Sequence, residues 1–269
     1  MSLDRPVTVS SSSPGAKAPG ILNTTALRRG FEGVHAADDV SISVRPGRIT
    51  GLIGPNGAGK STVLAMLAGT LAPESGRIHF EGSDITSMPA YRRARIGLVR
   101  TFQMSAEFAR LTVLENLLAA SQMNRGDSLF GALLGRRYWG ADEDRLVAEA
   151  RALLSRFGMT AKESDYAGDL SGGQKRLVEV MRALMLHPRM LLLDEPMAGV
   201  HPNVVHEIAD CLESLRDGGL TILLVEHELP IVERLCDPVI VMAQGRVIGE
   251  GTLSTLRLQP EILEAYLVG

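Results

Sequence analysis

Cysteine is scarce in this sequence of 269 residues: only Cys211 and Cys236 occur, without CxxC spacing and without a histidine in a ligand pattern nearby. A disulfide framework or a zinc site is therefore disfavoured against two buried thiols in a reducing compartment. Long apolar runs are missing too. Apolar runs such as Pro238 to Ala243 and Met190 to Leu193 have the length of buried strands, far short of the roughly 18 residues that a membrane span needs. If the protein works at a membrane, the span is expected in another chain. The N-terminus has neither the basic stretch nor the apolar stretch of a secretory signal. Excess positive charge is also absent. The formal net charge is -3, the pI about 6.1, and no charged tail occurs, so nucleic acid is not expected as a partner.

What remains is ample for one large α/β domain, or for a core with a smaller appended subdomain. Residues 1–20, which include VTVSSSSPGAKAPG, carry too little apolar surface to offset the entropy of ordering and are expected to be a disordered leader. From Ile21 to Arg48 the pattern fits short strands: apolar residues alternate through Val40, Ile42 and Val44, and a turn follows at Pro46-Gly47. Ile49 to Ile53 is a compact apolar strand, and a helix is expected from about Lys60 to Leu71. Between 104 and 168 the apolar spacing turns helical, through Leu114, Leu117 and Leu118, then Leu146, Ala150, Leu153, Leu154 and Phe157. A glycine-rich, aromatic stretch (Gly126 to Gly140, with Phe130, Tyr138 and Trp139) separates these helices. Strands resume at Met190–Leu193, Leu220–Val225 and Val239–Met242. Strands alternating with helices imply a largely parallel sheet covered on both faces.

The segment GPNGAGKS, Gly54 to Ser61, matches GxxxxGK[ST] directly after an apolar strand and directly before a helix. Glycines let successive backbone N–H groups curl toward phosphates, and the helix that follows aims its positive dipole end at them. Gly54, Pro55, Asn56, Gly57, Ala58, Gly59, Lys60, Ser61 and Thr62 are thus candidate nucleotide-binding residues. Lys60 can reach the β- and γ-phosphates, and the Ser61 hydroxyl can bind Mg²⁺. No internal repeat is visible, so one such unit is expected per chain.

Downstream, MLLLDEP (Met190 to Pro196) sets two carboxylates at the end of a buried strand. Asp194 is placed to hold the Mg²⁺ hydration shell and Glu195 to polarise an attacking water. On their own, two such acids could equally cap the next helix; a phosphate loop in the same chain weighs against that. Between the two motifs lies LSGGQKR, Leu170 to Arg176. Its Ser-Gly-Gly run is either an ordinary N-cap or a second anion-binding helix N-terminus, with Ser171, Gly172, Gly173 and Gln174 as candidates. Here the resemblance is specific: LSGGQ is the signature of the ABC ATPases, and this chain resembles that family from about residue 22 to 269.

The resemblance implies more than spacing can. It implies a P-loop NTPase fold: a RecA-like core with a mostly parallel sheet and an antiparallel β subdomain (residues 21–103 and 169–250). An α-helical subdomain is inserted at 104–168, and a helical tail follows at 251–269. Gln103, in RTFQ, resembles the glutamine that senses the γ-phosphate and metal. His227, in LLVEHEL, resembles the switch histidine, and Phe31 the aromatic on which adenine stacks. ATP and Mg²⁺ are implied as ligands. The signature of one subunit closes over the nucleotide of another, so a second ATP-binding subunit is implied, homomeric or a sibling. Transmembrane permease subunits and, indirectly, a substrate-binding protein are implied partners, at the cytoplasmic face of the cell membrane.

RTFQ with LTVLENLL, the extended helical insertion, AGVHP and the tail PEILEAYLVG are similar to the ATP-binding subunits of branched-chain (hydrophobic) amino-acid importers. Lipid or lipopolysaccharide exporters share the AGV-x-P loop, and urea or amide importers are related, so both stay open as alternatives. His201 departs from the pattern: most ABC ATPases have aspartate there and this subfamily usually asparagine. That loop crosses the dimer interface, so coupling between the two sites is where the departure bears.

Overall fold

The computed structural model describes residues 20–31, 33–101, 108–121 and 136–268. Nearly all of the expected leader at 1–20, most of the glycine-rich stretch at 126–140, and Gln103 lie outside these. Two sheets organise the rest. The first is antiparallel, in the order β2 (Val34–Val40), β1 (Leu22–Phe31), β5 (Ser75–Phe80), β6 (Ser83–Asp84), with β3 (Ser43–Val44) also paired to β1. The second has the order β11 (Arg246–Gly251), β10 (Val239–Ala243), β4 (Ile49–Ile53), β9 (Thr221–Val225), β8 (Met190–Asp194), β7 (Leu98–Arg100). All its neighbours are parallel except β10 and β11. This is the expected α/β architecture, an antiparallel sheet beside a mostly parallel one.

The apolar runs explain the layering. Strands β4, β8 and β9 are buried along their whole length, and successive side chains face opposite sides of the sheet. Leu191, Leu193, Ile222 and Leu224 join the core on one face. That face is covered by α5 (Gly172–Leu184), α6 (Pro202–Asp217) and α7 (Leu229–Leu235). Met190, Leu192, Leu223 and Val225 join the core on the other, under α1 (Lys60–Ala68) and the antiparallel sheet. Helix α1 is shorter than expected. Gly69 stands at φ 77° and its N–H closes the last turn on the Met66 carbonyl, so the helix stops before Leu71.

Short α2 (Ala90–Arg95) leads into β7. Helices α3 (Val113–Ala120) and α4 (Arg136–Arg156) and the one-turn helices Thr160–Lys162 and Ala167–Asp169 precede α5. Thr112 starts α3 with a reciprocal capping box to Glu115. Leu117, Leu146, Ala150 and Leu154 are buried in the core shared with α5. After β11, α8 (Leu253–Leu256) and α9 (Pro260–Val268) run over the sheet edge.

One side chain ties the helix after the phosphate loop to its surroundings. Arg93 of α2 is 1% exposed and donates to the carbonyls of Met66, Leu67, Ile85, Thr86 and Met88 at 2.7–3.0 Å. Met66 and Leu67 lie in the last turn of α1, where carbonyls lack the i+4 amide of a helix interior and a cation suits the dipole. Burial pulls the guanidinium down to about 10. Arg93→Met keeps the stem but orphans buried acceptors, so it should lower unfolding stability by about 3 kcal/mol. A urea midpoint equal to the parent's would contradict this role.

Candidate functional site

The loop between β4 and α1 wraps a cleft of roughly 280 Å³, lined by residues 56–62, by Ala36 of β2 and by Glu195. Its shape depends on glycine. Gly59, at φ 98°, lies so close to β2 that a Cβ there would stand 2.0 Å from the Ala36 carbonyl oxygen. The loop is braced from behind by the tight turn joining β10 to β11. Gly245 N–H donates to the Ala58 carbonyl (3.1 Å), and Asp38 N–H donates to the Gly245 carbonyl (2.8 Å). Lys60 is buried, and its Nζ donates to the carbonyls of Gly54 (2.7 Å) and Pro55 (2.9 Å). Burial pulls its ammonium pKa down, opposed by the carboxylates of Glu195 and Asp194. The cleft thus collects backbone donors and one ammonium, the inventory for a chain of phosphates.

The acids stand where the parallel strands end, the usual place for a ligand in an open α/β sheet. Asp194 is 2% exposed at its side chain and receives Arg100 Nη2 on Oδ2 at 2.8 Å. Its Oδ1 is buried and has no hydrogen-bond partner among the described residues. An anionic oxygen left so is a fit for a hydrated divalent cation near the phosphates. Among the described residues no group of three or more His, Cys, Asp or Glu gathers as a metal cluster. A cation here would therefore rely on phosphate oxygens and water as well as on Asp194, as Mg²⁺ does. Glu195 follows at φ 47°, its N–H on the Val225 carbonyl (3.0 Å). This left-handed turn carries the chain away from the sheet and leaves the side chain on the cleft wall. His227 Nδ1 lies 3.9 Å from Glu195 Oε1.

Two charged residues not singled out from the sequence belong to this cluster. One is Arg100. The other is Glu226, fully buried beyond the end of β9, whose Oε1 accepts Met197 N–H (3.2 Å) and Oε2 His227 N–H (3.3 Å). Burial pushes its carboxyl up, against those donors. Glu226 joins the loop after Glu195 to the loop of His227. An acid directly after the apolar run TILLV repeats the placement of Asp194 after MLLL, and that repetition was the available signal.

The signature residues lie elsewhere. Ser171 caps α5: its Oγ accepts Gln174 N–H (3.3 Å), and its own N–H donates to Gln174 Oε1 (3.0 Å). Gly173 packs against α6 so closely that a Cβ would stand 2.5 Å from Val204 Cγ1. Gly172 shares a separate surface hollow of roughly 200 Å³ with Lys175, Arg176 and residues 198–200. It does not share the cleft of Lys60. Phe31 stands 45% exposed at the end of β1, with the Arg29 guanidinium 5.1 Å from its ring centre, and is not part of the cleft lining.

Residues 37–198 match the family described as ABC transporter. The chain is similar to the probable branched-chain amino acid transport ATP-binding protein LivG of Archaeoglobus fulgidus, 39% identical over 92% of this chain and 95% of that protein. It is also similar to the LivG of Methanocaldococcus jannaschii, at 39% over 92% and 97%. Among solved structures, an ATP-binding cassette of an ABC transporter in its ADP conformation aligns with a TM-score of 0.81 and 38% identity. That alignment covers 94% of this chain and 100% of the other.

Proposed function

This chain belongs to the ABC transporter family as an ATP-hydrolysing subunit, and from that membership we propose that it powers the import of branched-chain amino acids through partner membrane subunits. The observation that carries the substrate class is the 39% identity to two LivG proteins along nearly their whole length. No helix among the described residues is long and apolar enough to cross a membrane, so the pathway itself is assigned to other chains. The cytoplasmic face of the membrane is the place for such a subunit.

In this reading residues 54–62 cradle the phosphates of ATP, with the N–H groups of Gly57, Gly59, Lys60, Ser61 and Thr62 and the Lys60 ammonium as donors. Lys60 exchanges the carbonyls of Gly54 and Pro55 for them. Glu195 orients and polarises the attacking water, and His227, within 4 Å of Glu195, holds the γ-phosphate side of that geometry together with Gln103. Glu226 keeps the Glu195 and His227 loops in register. Mg²⁺ bound with ATP supplies charge neutralisation at the phosphates, and Ser61, Asp194 and Gln103 are the residues that would hold it. Phe31 is assigned to the adenine. Ser171 to Gln174 serve the nucleotide of a second subunit, a reading supported by the lining of this chain's own cleft, which does not include them. The helical segment 104–168 is assigned to docking the membrane subunits.

The test is reconstitution with the membrane proteins that co-purify. Stimulation of ATP hydrolysis by a leucine-loaded binding protein, with crosslinks falling in 104–168, is the expected result. Stimulation by lipid or lipopolysaccharide instead would overturn the import reading. Crosslinks confined to 200–269 would overturn the docking assignment.

A further inference from the structure

A buried ion pair at the ends of β7 and β8 has a use beyond holding two strands together. Arg100 ends β7 and Asp194 ends β8. The strands are parallel with Arg100 opposite Leu192, so the arginine reaches forward along the sheet edge to the carboxylate at 2.8 Å. The contact is a single N–H to Oδ2, and Oδ1 has no partner among the described residues. An acid this deeply buried is costly without a counter-charge. Lys60 feels Asp194 but has its ammonium on the carbonyls of Gly54 and Pro55. Arg100 is thus the cation in direct contact with this carboxylate.

The local charges then nearly balance. Among the described residues Arg100 and Lys60 are positive and Asp194, Glu195 and the buried Glu226 negative, so a divalent cation arriving alone meets one net negative charge, and without Arg100 it would meet two. Phosphates of ATP change the sum by several negative charges and make the same spot strongly attractive to it. Resting on the reading of Asp194 as a residue that holds Mg²⁺, we propose that Arg100 is a positioning residue that makes divalent-cation binding conditional on nucleotide. It neutralises Asp194 while the phosphates are absent and aims Oδ1 at the position the hydrated ion takes when they arrive.

The experiment uses the full chain and Mn²⁺ as the probe, followed by its electron paramagnetic resonance signal without nucleotide. Arg100→Met should bind Mn²⁺ about tenfold or more tightly than the parent, because one positive charge is gone from a buried site. Arg100→Lys, which keeps the charge, should stay within about threefold of the parent. Mn²⁺ alone should raise the unfolding midpoint of Arg100→Met and leave that of the parent unmoved, by mass action. If Arg100→Met does not accumulate as folded protein, Arg100→Gln gives the same comparison. Equal Mn²⁺ affinity in the neutral variant and the parent, or Arg100→Lys binding as tightly as Arg100→Met, would overturn the proposal. Asp194→Asn separates the two layers. If it binds MnATP as well as the parent, the reading of Asp194 is wrong. If it binds MnATP weakly while Arg100→Met matches the parent without nucleotide, only the role of Arg100 falls.

Discussion

Glu195→Gln should hydrolyse ATP at least about 100-fold more slowly than the parent while still binding it, the scale of losing a positioned general base. The substitution keeps the shape of a side chain that is 34% exposed on the cleft wall, on a residue whose backbone N–H donates to the Val225 carbonyl. It removes only the proton-accepting oxygen and one negative charge. That charge is felt by Lys60 and repels incoming phosphates, so nucleotide affinity should hold or rise. With binding intact and cleavage blocked, two chains should remain joined over their nucleotides. Phosphate release and gel filtration in ATP measure the two halves of this prediction. Normal turnover would transfer the role away from Glu195, and His227, at 3.9 Å, would be the next residue to test.

Lys60→Ala should remove nucleotide affinity, by a factor of tens to thousands. Truncating one side of a buried charged hydrogen bond costs about 2–5 kcal/mol, and each 1.4 kcal/mol is tenfold in the dissociation constant. Lys60 also satisfies the Gly54 and Pro55 carbonyls in the resting loop, so part of the loss will come from loop geometry. An unfolding curve recorded beside the ATP titration separates that share. ATP binding that stays at the parent's level in Lys60→Ala would contradict the role given to the ammonium.

The parts of this molecule that could be read along the chain are those whose causes are local. An apolar run with one acid behind it, such as MLLLD, becomes a central strand because it suits burial on both faces, and β8 extends one residue past the expected end to include Asp194. The capping of Ser171 by Gln174 and of Thr112 by Glu115 spans three residues and was open to inspection. Strands β5, β6, β7 and β11 were not anticipated. β6 and β7 are short, and β5 and β11 are only half-buried, so polar residues such as Arg77, His79 and Arg246 dilute their apolar signal. The ion pair of Arg100 with Asp194 joins residues 94 positions apart, and Glu226 meets Met197 from 29 away. Neither contact can be deduced before the order of the strands is known. Arg93 is the same case: in YRRAR nothing distinguishes the arginine that is buried from its exposed neighbours Arg92 and Arg95.

The bracing of the phosphate loop by Gly245 has a consequence for biosynthesis. The motif leaves the ribosome before the elements that support it: β4 needs β9 and β10 on its flanks, and the Ala58 carbonyl needs the turn at Gly245, which follows β10. Such long-range pairing forms slowly and late. The phosphate loop therefore gains its backing only after β9, β10 and the Gly245 turn have been made. A product truncated before the last hairpin would carry every letter of GPNGAGKS and lack the hollow that those letters encode.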